Sequence, residues 1–195
     1  METKVERVVF LKGQKTILRP PNKETDLKKC LKWINDPEVN QYLQLFLPTS
    51  QVGEEAWFDK LYKDEHDISF AIETLKGELI GFMGLHRINW KDRVATTGAF
   101  IGEKEYRGKG FGSDAKMALL NYAFNGLDLR KICSTVIAFN KRSVAYSLRC
   151  GYKIEGRLKR HIYKKGRYYD QIMLAVFKEK WLPLWRQYKR TGRLK

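Results

Sequence analysis

One stretch, IGEKEYRGKGFGSDA from Ile101 to Ala115, constrains this chain more than any other. Gly108, Gly110 and Gly112 alternate there with Lys109 and Phe111. Each glycine weakens a helix by about 1 kcal/mol relative to alanine, so the segment reads as a loop. The next residues, AKMALLNYAFNGL, place Ala115, Ala118, Leu119, Tyr122 and Ala123 at spacings of three and four, one face of an amphipathic helix. A glycine loop feeding a helix leaves the first backbone N–H groups without partners at the positive end of the helix dipole. That is an anion site, and Arg107 and Lys109 add charge to it.

The two common phosphate motifs do not describe this loop. A Walker loop needs G-x-x-x-x-G-K-[ST], and that string is absent. A dinucleotide fingerprint needs G-x-G-x-x-G after the first strand of a βαβ unit, whereas here G-x-G-x-G lies mid-chain. The string present is R-x-x-G-x-G: Arg107, Gly110 and Gly112.

Around the loop the hydrophobic period changes twice. Thr16–Arg19 reads as a short strand ended by Pro20-Pro21. Leu27, Leu31 and Ile34 have helical spacing, Asp36-Pro37 opens a further turn, and SQVGEEAWFDKLYKD reads as a third helix with Trp57, Phe58, Leu61 and Tyr62 toward the core. From Ile68 the period is two, through ISFAIET, LIGFMGLHRI and RVATTGAFIG. After the loop and its helix come a β-branched run, KICSTVIAF, and a short helix in NKRSVAYSLRC stopped by Gly151. Two strands joined by KKGR follow, and then a basic tail over residues 182–195 that reads as partly helical. The order implies one α+β domain with a core over about residues 14–181 and a strand–loop–helix–strand unit at its centre.

Charge bounds the partners. The chain carries +16 formally, unevenly placed: residues 1–75 hold 11 basic and 13 acidic residues, residues 76–195 hold 27 and 9. A field of that sign concentrates anionic ligands, although a solvated basic surface gives the same count. No apolar run approaches the length of about 18 residues that spans a membrane, and the N-terminus resembles no secretory leader. Cys30, Cys133 and Cys150 have no C-x-x-C spacing and read as reduced core thiols of a cytoplasmic protein. No metal site is expected.

The R-x-x-G-x-G loop resembles the pyrophosphate loop of the GNAT acyltransferases. Trp33-Ile34-Asn35-Asp36-Pro37-Glu38-Val39 resembles a run near the start of the ribosomal-protein N-terminal acetyltransferases (the RimJ/RimL type) and of spermidine acetyltransferases. The family's later N-x-x-S and G-[FY]-x-x-E-G strings are matched in order by Asn140, Ser143, Gly151, Tyr152, Glu155 and Gly156. The resemblance implies the GNAT fold, a mixed splayed sheet flanked by helices. It also implies acetyl-CoA as donor and direct attack of an amine on the thioester, with a backbone N–H meeting the oxyanion.

Carried over residue by residue, the coenzyme A site comprises Phe100, Ile101 and Gly102 at a strand end. Arg107, Gly108, Lys109, Gly110, Phe111, Gly112 and Ser113 form the loop, and Asn140 and Ser143 lie beyond the next strand. Asn140 reads equally as a helix cap. Many family members carry a tyrosine that protonates the departing thiolate. Ser147 stands at that position, with Tyr146 one residue earlier, and Tyr146 reads also as a core aromatic. A serine there matches the RimJ/RimL branch. Where relatives carry a glutamate base, this chain has Thr96 and Thr97; Asp36, Glu38 and Asp170 are the other carboxylates weighed.

The acceptor is therefore expected to be an amine of low pKa, a protein or peptide α-amine such as that of a ribosomal protein. Spermidine-type and antibiotic acetylation are the alternatives within enzymes. A basic RNA-binding module, suggested by Tyr168, Tyr169 and the tail, is the alternative of another class; incidental RNA contact is compatible with either. The oligomeric state stays open, a dimer being one option.

Overall fold

The period-two segments form the sheet of the computed structural model, which describes residues 8–61 and 63–194. The strands are β1 (Leu11–Lys12), β2 (Thr16–Arg19), β3 (Ile68–Thr74), β4 (Leu79–Asn89), β5 (Val94–Ile101), β6 (Lys131–Ile137), β7 (Lys153–Lys164) and β8 (Arg167–Phe177). They lie in the order β1-β2-β3-β4-β5-β6-β8-β7. Every neighbouring pair is antiparallel except β5 and β6.

The helices are α1 (Lys23–Asn35), α2 (Pro37–Asn40), α3 (Gln51–Lys60), α4 (Phe111–Asn121), α5 (Lys141–Arg149) and α6 (Lys178–Thr191). Their starts follow from side chains that satisfy the first orphan N–H groups. Asn22 caps α1, Asp36 caps α2 with Pro37 in the first turn, Ser50 caps α3 and Asn140 caps α5. Helices cover both faces of the sheet, as expected. On one face Leu27, Cys30 and Trp33 of α1 and Phe58 of α3 bury Ala71 and Phe82. On the other, Met117, Leu119 and Leu120 of α4 pack with Ile80, Leu85 and Ile132.

Three expectations change. The helix after the glycine loop starts at Phe111, so Phe111, Gly112 and Ser113 are its first turn rather than loop. Trp57 does not enter the core: it is 37% exposed and lays its ring against Phe58 and Phe82; Tyr62 lies outside the described residues. Residues 182–191, grouped in sequence with a basic tail, belong to α6, which buries Trp181 and Tyr188 against the sheet. The spacing of Trp181, Trp185 and Tyr188 puts three aromatics on one helical face, and burying them outweighs the exposed cations between.

Candidate active site

Strands β5 and β6 pair at only three positions, Val94 with Lys131, Ala95 with Ile132 and Thr96 with Cys133. Beyond that rung each runs on for several residues, β5 bonded only to β4 and β6 only to β8. The two strands thus part, and their facing backbone groups border a cleft of about 1190 Å³. Thr97 closes the fork: its hydroxyl donates to the Cys133 carbonyl at 3.3 Å.

At the cleft's upper end Gly108 and Gly110 hold φ of 76° and 90°, the left-handed region open to glycine, and Gly110 is the N-cap of α4. The N–H groups of residues 108–113 find no acceptor in the described loops or strands; the first to turn back is Asp114, bonding Gly110 O at 2.9 Å. Donors, dipole and Cβ-free approach coincide here, which suits the diphosphate of a nucleotide cofactor.

Of the residues expected to hold coenzyme A, Phe100, Ile101, Gly108, Gly110, Gly112 and Ser113 line this cleft. So do Arg107, Asn140 and Ser143. Four expected site residues do not line it: Gly102, Lys109, Phe111 and Ser147. Gly102 spends its N–H on Ile80 O at 2.8 Å, and a Cβ there would strike the Trp33 indole at 2.0 Å, so its glycine serves packing. Phe111 packs edge-on against Tyr106. Ser147 is 1% exposed with no partner for its hydroxyl, while its neighbour Tyr146 does line the cleft, also with an unpartnered buried hydroxyl. Arg107 points inward, donating to Ile101 O at 3.0 Å and Gly102 O at 2.5 Å, so it braces the strand end rather than presenting free charge to a ligand. Asn140 is a cap and a lining residue at once: its side-chain oxygen accepts from Ser143 N at 3.1 Å.

The weighed carboxylates are all engaged. Asp36 caps α2, accepting from Glu38 N at 2.8 Å. Asp170 is held below the usual carboxylate range by the Arg160 N–H and the Arg157 guanidinium. Glu38 lines the cleft but faces Lys104 at 3.2 Å and Arg107 at 3.6 Å. Thr97 is buried and bonded on all sides.

Sequence reasoning missed Lys15, which reaches from the β1–β2 turn to the glycine loop. Its ammonium donates to Lys109 O at 3.1 Å and stands 3.5 Å from where a Gly110 Cβ would lie. The cleft therefore carries Lys15, Arg87, Arg107, Lys116, Arg142 and Arg149 against one carboxylate. Binding of coenzyme A should consequently weaken several-fold as salt rises from about 0.1 to 1 M, where the Debye length falls from about 10 to 3 Å. Calorimetric affinity that ignores salt would remove this charge from the account.

Comparison with known proteins agrees with the cleft. Residues 15–153 match the family profile "Acetyltransferase (GNAT) domain". A Bacillus subtilis protein named provisionally as the ribosomal N-acetyltransferase YdaF is 31% identical over 154 residues, 77% of this chain and 79% of its own. Spermidine N(1)-acetyltransferase of Escherichia coli is 28% identical over 170 residues, 85% and 87% of the two chains. The crystal structure of spermidine N-acetyltransferase from Vibrio cholerae in complex with CoA and spermine superposes with a TM-score of 0.80, at 28% identity over 86% of this chain and 98% of that one. Parted parallel strands, a glycine-initiated helix with free donors and a matching profile over most of the length rule for an enzyme over a basic RNA-binding module, and place this chain in the GNAT family of acetyl-CoA-dependent N-acetyltransferases.

Proposed function

We infer that the acceptor is the α-amine of a protein or peptide, acetylated by direct transfer. One observation carries this reading: the single carboxylate of the cleft, Glu38, is already engaged by Lys104 and Arg107, and six cations line the same walls. A polyamine entering it meets like charge with no free counter-ion. Deprotonation points the same way. At pH 7 a side-chain amine of pKa about 10.4 costs about 4.6 kcal/mol to neutralise, an α-amine near 7.7–8.0 only about 1–1.4 kcal/mol. Among the described residues no free carboxylate stands at the fork to offset the larger cost. A ribosomal protein is the acceptor this reading favours, since the basic half of the chain suits docking beside RNA.

Polyamine acetylation is the second reading, favoured by the likeness to spermidine acetyltransferases in sequence and fold. Competition at pH 7 among a peptide with a free N-terminus, an N-blocked peptide with one lysine, and spermidine separates the two. The free N-terminus is expected to have the highest kcat/KM. Preference for spermidine or the lysine peptide would overturn the α-amine assignment and leave acetyl transfer intact.

A further inference from the structure

Lys116 is the one fully buried lysine of the described residues, 2% exposed, on the inner face of α4 between Ala115 and Met117. A methionine or leucine would fill that position without desolvating a charge, so stability does not explain it. It forms no ion pair with a carboxylate among the described residues. Its ammonium instead donates to Thr97 Oγ1 at 3.1 Å, over the Tyr146 ring at 4.8 Å and the Tyr152 ring at 5.0 Å. Two aromatic faces favour a cation there without neutralising it. Thr97 Oγ1 is saturated, donating to Cys133 O and taking bonds from Lys116 and from the Tyr152 hydroxyl at 3.0 Å. Two of the three ammonium protons are left without an acceptor among the described residues, at the fork where β5 and β6 part, and the side chain lines the cleft.

We propose that Lys116 is the general acid of this active site, giving its proton to the coenzyme A sulfur as the acetyl–sulfur bond breaks. The inference rests on acetyl transfer from coenzyme A and not on which amine accepts. In the step, the acceptor nitrogen's lone pair forms the new bond to the acetyl carbon, and the carbon–sulfur pair departs with sulfur. Lys116 protonates that sulfur and becomes a neutral amine. The acceptor nitrogen sheds its surplus proton to water, and water reprotonates Lys116, so proton and charge balance over the cycle. Ser147, at the position where relatives carry the acid, is shut away from the cleft, and the unpartnered Tyr146 hydroxyl stands on the same wall as Lys116.

Burial supports the assignment by pushing the Lys116 ammonium down to about 8, close to a free thiol near 8.5 and to physiological pH, where proton transfer between the two is nearly balanced. The facing groups do not titrate in that window. Burial holds the thiol of Cys150, at the end of α5, up to about 11 and the Tyr146 phenol on α5 well above its ordinary value; it also raises Tyr152 before β7 and Cys133 on β6. Asp114, on Lys116's own helix, is turned toward Thr16 and Tyr188. A group lowered to about 8 is charged below that pH and neutral above it, so an acid there is lost as pH rises. Turnover should therefore decline above about pH 8.

Lys116→Met tests this. Its kcat is expected to fall by about a hundredfold to ten-thousandfold, the usual range for one general acid, with the alkaline decline in kcat gone. A second readout needs no acceptor. Bound to the wild-type protein, the coenzyme A thiol should ionise at lower pH than free coenzyme A, read by thiolate ultraviolet absorbance, because the ammonium adjoins the sulfur; in Lys116→Met that shift should vanish. Turnover within about threefold of wild type, an unchanged alkaline limb, or identical thiol titrations in the two proteins would overturn the proposal. If Lys116→Met does not fold, the wild-type titration decides alone: a bound thiol that ionises no earlier than the free one refutes it. Failure of the α-amine assignment leaves the thiol titration untouched, so the two readings fail separately.

Discussion

Gly110→Val is expected to lower coenzyme A affinity by at least a hundredfold, with a smaller loss of stability. Gly110 caps α4 with φ of 90°, where a β-branched residue is a backbone outlier costing about 1–2 kcal/mol. Its Cβ would stand 3.5 Å from Lys15 Nζ. That strain burdens free and bound protein alike and does not by itself change affinity. The binding loss has another source. Phosphate oxygens must come within about 2.7–3.1 Å of the N–H groups around residues 108–113, and valine's methyls would stand over those donors. A hundredfold is about 2.7 kcal/mol, the worth of one or two hydrogen bonds to a charged acceptor. Gly166→Val in the β7–β8 turn is the control: φ is 75° and nothing lies within 4 Å of its would-be Cβ, so it carries the strain without the phosphates. Melting temperature should fall in both variants and affinity only in the first. Unchanged calorimetric affinity in Gly110→Val would take the loop out of coenzyme A binding.

What the sequence made legible is whatever depends on neighbours along the chain. Period-two runs located β3 through β5, a β-branched run located β6, Asp36-Pro37 and Asn140 located helix starts, and the glycines located the anion site. The loop's far edge was misplaced because helix propensity applies to helix interiors; Gly112 sits in the first turn, where backbone N–H groups are unpaired in any case. Arg107 was read as charge for a phosphate, yet its guanidinium is bound to carbonyls five and six residues back, a choice set by the path of the chain between β5 and α4. Lys15 and Lys116 are illegible for a different reason. Nothing beside Lys116 in sequence marks it off from a surface lysine, and its meaning comes from Thr97, Tyr146 and Tyr152 brought in from three other elements. Trp181 and Tyr188 were legible in principle from their spacing, but the cations between them drew the reading toward a basic tail, partly helical, outside the core.

Asp114→Ala is expected to destabilise the protein by about 3–5 kcal/mol, because it strands several buried donors at about 1–3 kcal/mol each, offset in part by water. The carboxylate is 1% exposed and accepts from Gln14 N at 2.7 Å, Lys15 N at 2.9 Å, Thr16 N at 2.8 Å and Thr16 Oγ1 at 2.6 Å, with the Tyr188 hydroxyl as a fifth donor. It thereby joins the first turn of α4 to the β1–β2 turn and to α6, segments some 74 to 100 residues away in the chain. Packing enforces the contact: a Cβ on Gly13 would lie 2.3 Å from Asp114 Oδ2, so that turn can close only over glycine. Alanine leaves the donors buried without acceptors, and each such group costs about 1–3 kcal/mol unless water enters. Asparagine should rescue little, since its amide turns one acceptor oxygen into a donor facing donors. For a chain of this size each kcal/mol moves the melting temperature by about 2–4 °C, so a fall of roughly 6–20 °C is expected. Tyr188→Phe alone should cost far less, because four donors still hold the carboxylate. In the double variant the two losses should sum to less than their separate values, since the hydroxyl has lost its acceptor either way. The loss should also reach the active site: Lys15, freed from Asp114, no longer holds its ammonium on Lys109 O, and coenzyme A affinity should fall with stability. An Asp114→Ala protein melting within about 3 °C of wild type would mean that water replaces the carboxylate at all five donors, and that the turn is held by packing alone.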